Sequence, residues 1–385
     1  MPNSEYPAPF RLLAVIALLV ATTGCAAAQT KDVIQATSAK PIVLSYPSVD
    51  ADLGEQLSPD EPALAQEIGA AIEKAIRKEY RPGNARRDAH PKAHGCVKAE
   101  FHIVDTLPDR LAKGIFIPGK KYQVWIRFSN GSKDADRADS KGDARGMAIK
   151  VLGVAGEKLL ENEAQSTTQD FIMISHPVFF TNDPRRYLSL IAKESSDSVS
   201  KKLLIPFALG LKGTRIVLKI TSKKISNPLQ TRYWSMVPYQ LGLGPDRQAV
   251  KYSARPCTAA ADPMPDNAKP NFLRDALRTT LQNRDACMEF MVQLRTSTSM
   301  DVEDSMTEWK EAKAPFYKVA EIRIPQQTFD AADQNSFCEN LSLSPWHALP
   351  EHKPLGSTNR MRKVIYEHIS RVRHEMNSAE RQEPR

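Results

Sequence analysis

Asn359-Arg-Met-Arg-Lys-Val-Ile-Tyr366, near the end of a 385-residue chain, is the stretch from which the fold is most readily read. No Pro or Gly interrupts the run from Ser357 to Ala379. Val364, Ile365 and Ile369 supply an apolar stripe, and charges fill the other positions, so the spacing predicts a helix. Positions four apart share a helix face, which puts Arg362 one turn below Tyr366. A permanent cation there favours phenolate over phenol, and a phenolate oxygen is a hard anionic metal ligand. By itself an Arg-x-x-x-Tyr pair is more often a solvated Arg beside a half-buried Tyr, so the rest of the chain must decide.

Apolar residues make up 41% and charged residues 25% of the chain, an ordinary globular balance that excludes disorder throughout. The 27 Pro against 17 Gly point to many irregular connections, which suits a barrel wrapped in arms. No repeat of fixed period is present. The formal charge of +8 is scattered, with no basic helix interleaved with aromatics, so nucleic acid is not an expected partner.

Phe10 to Ala28 reads as a secretory leader, with Arg11 before a short apolar core from Leu12 to Ala21. That run is too short to span a bilayer. Ala21-Thr-Thr-Gly-Cys25 resembles a bacterial lipobox, although Thr22 stands where Leu is usual. The expectation is a leader over 1–24, a bacterial cell-envelope, periplasmic protein attached to a membrane through Cys25, with a soluble exported protein as the alternative, and a polar tether over 25–57. Cys96, Cys257, Cys287 and Cys338 match no zinc spacing. A Cys257–Cys287 bridge is conceivable in an oxidising compartment, with buried free thiols the default.

Ser58-Pro-Asp-Glu61 predicts a capping box opening a helix with Ala65, Ile68, Ala71, Ile72 and Ile76 on one side, ending near Arg81-Pro-Gly83. Strand-like segments follow at 96–104, 122–128, 146–152, 171–174, 250–254, 287–296 and 317–324, with a helical, basic stretch at about 184–235 that includes the apolar 203–211. The pattern predicts an α+β protein on an antiparallel β-barrel, with an N-terminal arm and helix and with peripheral and C-terminal helices.

Four short islands lie along this frame: Arg87-Asp-Ala-His90-Pro-Lys-Ala-His-Gly95, Ile126-Arg127-Phe128-Ser129, Asp143-Ala-Arg145-Gly146 and His176-Pro-Val-Phe-Phe180. In this order, ahead of Arg362-x-x-x-Tyr366, they resemble the haem catalase superfamily. The segment Pro345-Trp-His-Ala-Leu-Pro-Glu-His-Lys-Pro-Leu-Gly356 resembles its small, exported catalase-related peroxidase branch. The resemblance runs from about 80 to 375 and implies one haem domain over 58–385, with the barrel at about 86–330 and a C-terminal arm and proximal helix at 331–385.

The resemblance implies that His90 is the distal base and Ser129 the hydroxyl holding its ring. It implies that Arg87 and Arg127 bind haem propionates, that Phe128 and Phe180 flank the macrocycle, that Tyr366 ligates iron and that Arg362 keeps it ionised. It also implies peroxide reduction through a ferryl intermediate. At the position of the family's distal Asn the chain has Ser175, preceded by Ile174. A serine has one donor where an amide has two, which weakens the case for dismutation and leaves peroxidase chemistry with an external electron donor. A fatty-acid hydroperoxide isomerase and a haem-binding protein without turnover are the rival readings. No Gly-x-Gly-x-x-Gly fingerprint occurs, so no tightly bound NADPH is expected. The donor's identity is open, and the sequence leaves room for a homo-oligomer.

Overall fold

Alternating strands joined by turns can bury one face of a sheet without exposing its edges only by closing on themselves. The computed structural model, which describes residues 45–384 apart from 197, 199 and 201–203, has this arrangement. The expected leader, Cys25, the tether as far as 44 and Leu203 lie outside the described residues. The strands are β1 (Ala93–Ile103), β2 (Lys121–Asn130), β3 (Arg145–Leu152), β4 (Thr168–Ile174), β5 (Tyr233–Trp234), β6 (Tyr239–Leu241), β7 (Gln248–Pro256), β8 (Ala286–Leu294) and β9 (Phe316–Ile324). Their order is β5-β4-β3-β2-β1-β9-β8-β7-β6, and β5 also pairs with β7, so eight strands close an antiparallel barrel with β6 lying along β7. The barrel is filled by aromatic rings. Phe171 lies 4.8 Å from Phe290 and 5.0 Å from Tyr252, centroid to centroid, and Phe101 lies 5.0 Å from Phe290. Each such buried side chain contributes roughly 1.5–3 kcal/mol.

The helices are α1 (Glu61–Glu79), α2 (Pro184–Glu194), α3 (Ile205–Ser222), α4 (Phe272–Asn283), α5 (Ala332–Asn340) and α6 (Ser357–Asn377); α4 and α5 pack on β1, while α1 packs with α6 and α2, and α2 with α3. α1 and α6 pack through Ile68, Ile72 and Ile76 against Met361, Val372 and Met376, with Val364, Ile365 and Ile369 half-buried beside them. The capping box expected at Ser58 does not form: the cap position is Asp60 and no side chain bonds the first turn. The Glu61 carboxylate is held elsewhere, by Arg360 from α6 (Nε to Oε1 2.7 Å) and by the Tyr46 hydroxyl at 2.6 Å. Arg360 is fully buried and also pairs with Glu55 at 2.8 Å and Glu303 at 2.9 Å, tying the N-terminal arm, α1 and a loop to the base of α6.

A second charged core lies where the C-terminal tail crosses the barrel. Buried Lys150 pairs with Asp170 at 3.1 Å and Glu383 at 3.0 Å, and His347 bridges Asp170 and Glu163, each at 2.7 Å. The four cysteines among the described residues are not free thiols. Cys257 and Cys287 are bridged at a Cα separation of 5.5 Å, and Cys96 of β1 is bridged to Cys338 of α5 at 5.9 Å. Both pairs come from elements that tertiary packing sets side by side, and for Cys96 and Cys338 that adjacency cannot be read from local sequence.

Candidate functional site

The site is built from the outer face of β2 and β3 and from α6. Side chains alternate along a strand, so Arg127 and Ser129 leave β2 on the same side and Phe128 leaves on the other. Ser129 pairs in register with Gly146 of β3, which pairs with Ile174 of β4. His90, just before β1, has φ +61°, a left-handed conformation uncommon for a residue with a side chain. Two contacts hold it there. Its Nδ1 and the Ser129 Oγ are 3.0 Å apart, and its carbonyl accepts a hydrogen bond from Arg127 Nη2 at 2.9 Å. The imidazole lies against the bare Cα of Gly146, where an added Cβ would fall 2.5 Å from both His90 Nδ1 and Ser129 Oγ.

From the other side, α6 presents Tyr366. Arg362 donates to its hydroxyl oxygen at 2.9 Å and to Asn359 Oδ1 at 3.1 Å. Asn359 is itself fixed, donating to the Pro238 carbonyl at 2.9 Å while its own carbonyl accepts from the Trp346 indole at 2.7 Å. Burial opposes the charge of Arg362, but the oxygens of Tyr366 and Tyr239 hold its pKa above the usual value. Burial drives the Tyr239 phenol up to about 12. The His90 imidazole is pushed down to about 3, first by burial and then by the charges of Arg127, Arg362 and Arg87, so it is neutral at any physiological pH.

The charge of Arg362 reaches His90, so the two pairs face one another, and the depth and residual exposure of the groups around them imply a hollow between them. His90, Arg362 and Tyr187 lie as deep as core residues, yet they keep part of their surface uncovered, as do Tyr366, Phe179 and Phe180. An open surface cleft of about 560 Å³ lies elsewhere, along Ser48, Asp50, Arg247 and Lys353, and shares no residue with the site. On the rim of the hollow the positive charge is unbalanced. Burial, Arg87 and Arg373 push Arg127 down to about 9, and burial and Arg87 push Arg373 down to about 10. Glu339 is the carboxylate that opposes both, while the Nε atoms of Arg87 and Arg127 are buried without a partner. Orphaned guanidinium donors beside a cation-supported phenol fit a haem, whose two carboxylates would supply the missing acceptors.

Most of the residues expected from sequence converge here, and three have other surroundings. Phe128 lies in the barrel core, its ring 6.0 Å from Tyr233, because strand alternation turns it away from Ser129. It is not a pocket wall. Phe180 does sit beside the hollow, its ring 4.3 Å from that of Phe179 and 6.1 Å from Tyr187. Ser175 is buried against β3, where its Oγ accepts from the Arg145 N–H at 2.9 Å, and Ile174 shares the row of Ser129 and Gly146. Arg87 commits one nitrogen to the carbonyls that end α5, donating to Leu341 at 2.7 Å and Glu339 at 3.0 Å.

Sequence reasoning missed Arg373, Asn359 and the steric role of Gly146. Arg373 was within reach, because Arg362, Tyr366 and Arg373 stand at i, i+4 and i+11 and share one helix face. Arg145 of the Asp-x-Arg-Gly island is structural: fully buried, it donates to the carbonyls of Asp139 and Lys141 at 2.9 Å each.

Comparison with known proteins agrees with this architecture. A family model described as Catalase matches residues 57–202. No curated protein matches by sequence. Among solved structures, catalase A from Saccharomyces cerevisiae is similar at 17% identity and a TM-score of 0.63, over 90% of this chain and 72% of that one. A bacterial catalase is similar at 16% identity and 0.61, over 90% and 67%. A fungal catalase is similar at 16% identity and 0.60, over 84% of this chain and 64% of its own length.

Proposed function

We propose, from the chain's membership of the haem catalase superfamily, that it is a haem-dependent peroxidase reducing hydrogen peroxide or an organic hydroperoxide with electrons from a separate donor. The observation that carries this reading is the convergence of two hydrogen-bonded pairs, His90–Ser129 at 3.0 Å and Arg362–Tyr366 at 2.9 Å, on one arginine-rimmed hollow. A binding protein without turnover has no need of an oriented base held in left-handed backbone.

Tyr366 would hold the iron, with Arg362 donating to its oxygen, and Arg87, Arg127 and Arg373 would take the carboxylates. Haem, when bound, supplies the redox chemistry. His90 accepts the proton of the incoming hydroperoxide at its ring and returns it to the departing oxygen, which leaves as water or alcohol. The donor provides two electrons, and two protons taken up with them convert the other peroxide oxygen to water, which balances the reduction. Ser129 sets the ring's plane and Arg127 fixes the backbone beneath it. Neutralising Arg87 and Arg127 with carboxylates removes two of the charges that make His90 a weak base. With Ile174 in the row of Ser129 and the Ser175 oxygen taken up by Arg145, the side chains give peroxide no amide donor beside His90. This favours reduction by an external donor over dismutation. The leader and Cys25 support an exported, membrane-attached form.

The test is the absorption spectrum of haem-loaded protein before and after one equivalent of peroxide, with a donor then added. The expected result is a ferric spectrum that changes with peroxide and is restored by donor, lost at the binding stage in Tyr366→Phe and at the peroxide stage in His90→Ala. Peroxide consumed with no donor oxidised, giving a rearranged product, would instead establish an isomerase.

A further inference from the structure

The three most exposed large apolar side chains among the described residues all lie on one helix, α3: Leu211 at 82%, Phe207 at 80% and Leu218 at 61%. Leu204, immediately before the helix, adds 46%. The inner face is already used. Ile216 and Ile220 pack with Val178, and Gly213 lies so close to the Phe180 carbonyl that a Cβ there would approach it to 2.7 Å. The helix therefore carries apolar residues on both faces, a pattern proper to a buried helix, while one face is open. Leu211 and Leu218 are two turns apart and point the same way; Phe207 precedes them across a break at Gly210, φ +66°.

Charge indicates what covers this face. Between Leu204 and Lys224 the sequence has Lys212, Arg215, Lys219, Lys223 and Lys224 and no acidic residue. Lys212 lies 3.4 Å from Asp304, and Lys223 donates to the Ser175 carbonyl at 2.9 Å. Arg215, Lys219 and Lys224 are not ion-paired within the described residues. Two copies of such a face would bring like charges together. No described helix is long and apolar enough to cross a membrane. Apolar anchors among unpaired cations, on a helix that cannot span, match the surface of an anionic bilayer. We propose that α3 is a docking helix for anionic lipid, seating Phe207, Leu211 and Leu218 among acyl chains with Arg215 and Lys219 at the headgroups. The inference stands whether or not the hollow holds haem.

The experiment places a polarity-sensitive fluorophore on the full chain carrying Cys25→Ser and Leu211→Cys, with a second preparation labelled at exposed Asp266→Cys as the control. Vesicles of mixed phosphatidylglycerol and phosphatidylcholine should shift the label at 211 to the blue and leave the label at 266 unchanged. High salt should weaken the effect by screening. In the chain with Cys25→Ser alone, adding Phe207→Ser, Leu211→Ser and Leu218→Ser should weaken vesicle binding by on the order of 100-fold or more, since each fully inserted side chain is worth about tenfold. Thermal unfolding of that variant should stay near the parent's, because the replaced side chains make little of the core. A label at 211 that stays in water while the protein floats with vesicles would overturn the proposal, as would equal insertion into phosphatidylcholine alone. A blue shift that grows with protein concentration in the absence of lipid would overturn it in favour of a second copy.

Discussion

Replacing Gly146 with Ala tests the distal geometry at a residue with no chemistry of its own. The added methyl would sit 2.5 Å from His90 Nδ1 and Ser129 Oγ, well inside contact distance, so one of them must move. The ring has little freedom to comply. The His90 backbone is fixed at φ +61° with its carbonyl bonded to Arg127 at 2.9 Å, and swinging the imidazole breaks the 3.0 Å contact with Ser129. The lost hydrogen bond costs about 1 kcal/mol and the overpacking about 1–3 kcal/mol, so stability should fall by roughly 2–4 kcal/mol. The catalytic loss should be separate from that figure and of similar size, because displacing a general base by about an ångström costs on the order of 100-fold. The upper limit is the effect of His90→Ala, about 10²–10⁴-fold. The assay is peroxide reduction by stopped flow, with haem affinity and thermal unfolding measured on the same samples. Haem affinity should hold, since Tyr366, Arg362 and the arginines are untouched. Activity within threefold of the parent despite a lowered melting temperature would refute the reasoning, because the strain would then have been absorbed away from His90.

Other consequences follow from the charged cores and the bridges. Arg360→Met leaves Glu61 buried without a cation and Glu55 with Lys353 alone, and should cost about 3–5 kcal/mol in chemical denaturation, whereas a buried ion pair of little consequence would shift the midpoint only slightly. Removing the Cys96–Cys338 bridge, which spans 242 residues, should destabilise by about 2 kcal/mol more than removing Cys257–Cys287, which spans 30, from loop entropy alone. Buried His347 is pushed down by burial and by Lys150, but Asp170 and Glu163 prevail and hold it up at about 9. Its contribution is thus complete below the unfolded value of 6.5 and is lost as pH rises through 9, so His347→Asn should flatten the alkaline side of a melting-temperature profile. Burial holds His94 down to about 4 and His352 to about 3, so stability should also fall as pH drops below 6.5 toward those values.

What the sequence makes legible is whatever repeats locally. The strands β1 and β2 are legible by alternation, β3, β4 and β7 to β9 as short strand-like segments, and α1 and α6 by apolar spacing. β5 and β6, of two and three residues, are too short to carry a period, yet β5 closes the barrel. α4 did carry a signal, Leu273, Leu277 and Leu281 at four-residue spacing, which the strands around it obscured. The same division runs through the site. Tyr366 and Arg362 are one helical turn apart, and Ser129 and Arg127 are two residues apart on a strand, so local geometry pairs them. His90 meets Ser129 through the pairing of β1 with β2, and it meets Gly146 through the pairing of β2 with β3, which no local rule supplies. Phe128 shows the converse. Its neighbours in sequence are site residues, and strand alternation alone would have sent it to the opposite face. The stretch Arg360-Met-Arg362 holds both lessons in three residues. Two positions apart on a helix are nearly opposite, so one guanidinium turns to Glu55, Glu61 and Glu303 and anchors α6, while the other turns to Tyr366. Helical geometry predicts that the two arginines have different work. Only the fold shows that the first holds steady the helix on which the second and Tyr366 depend.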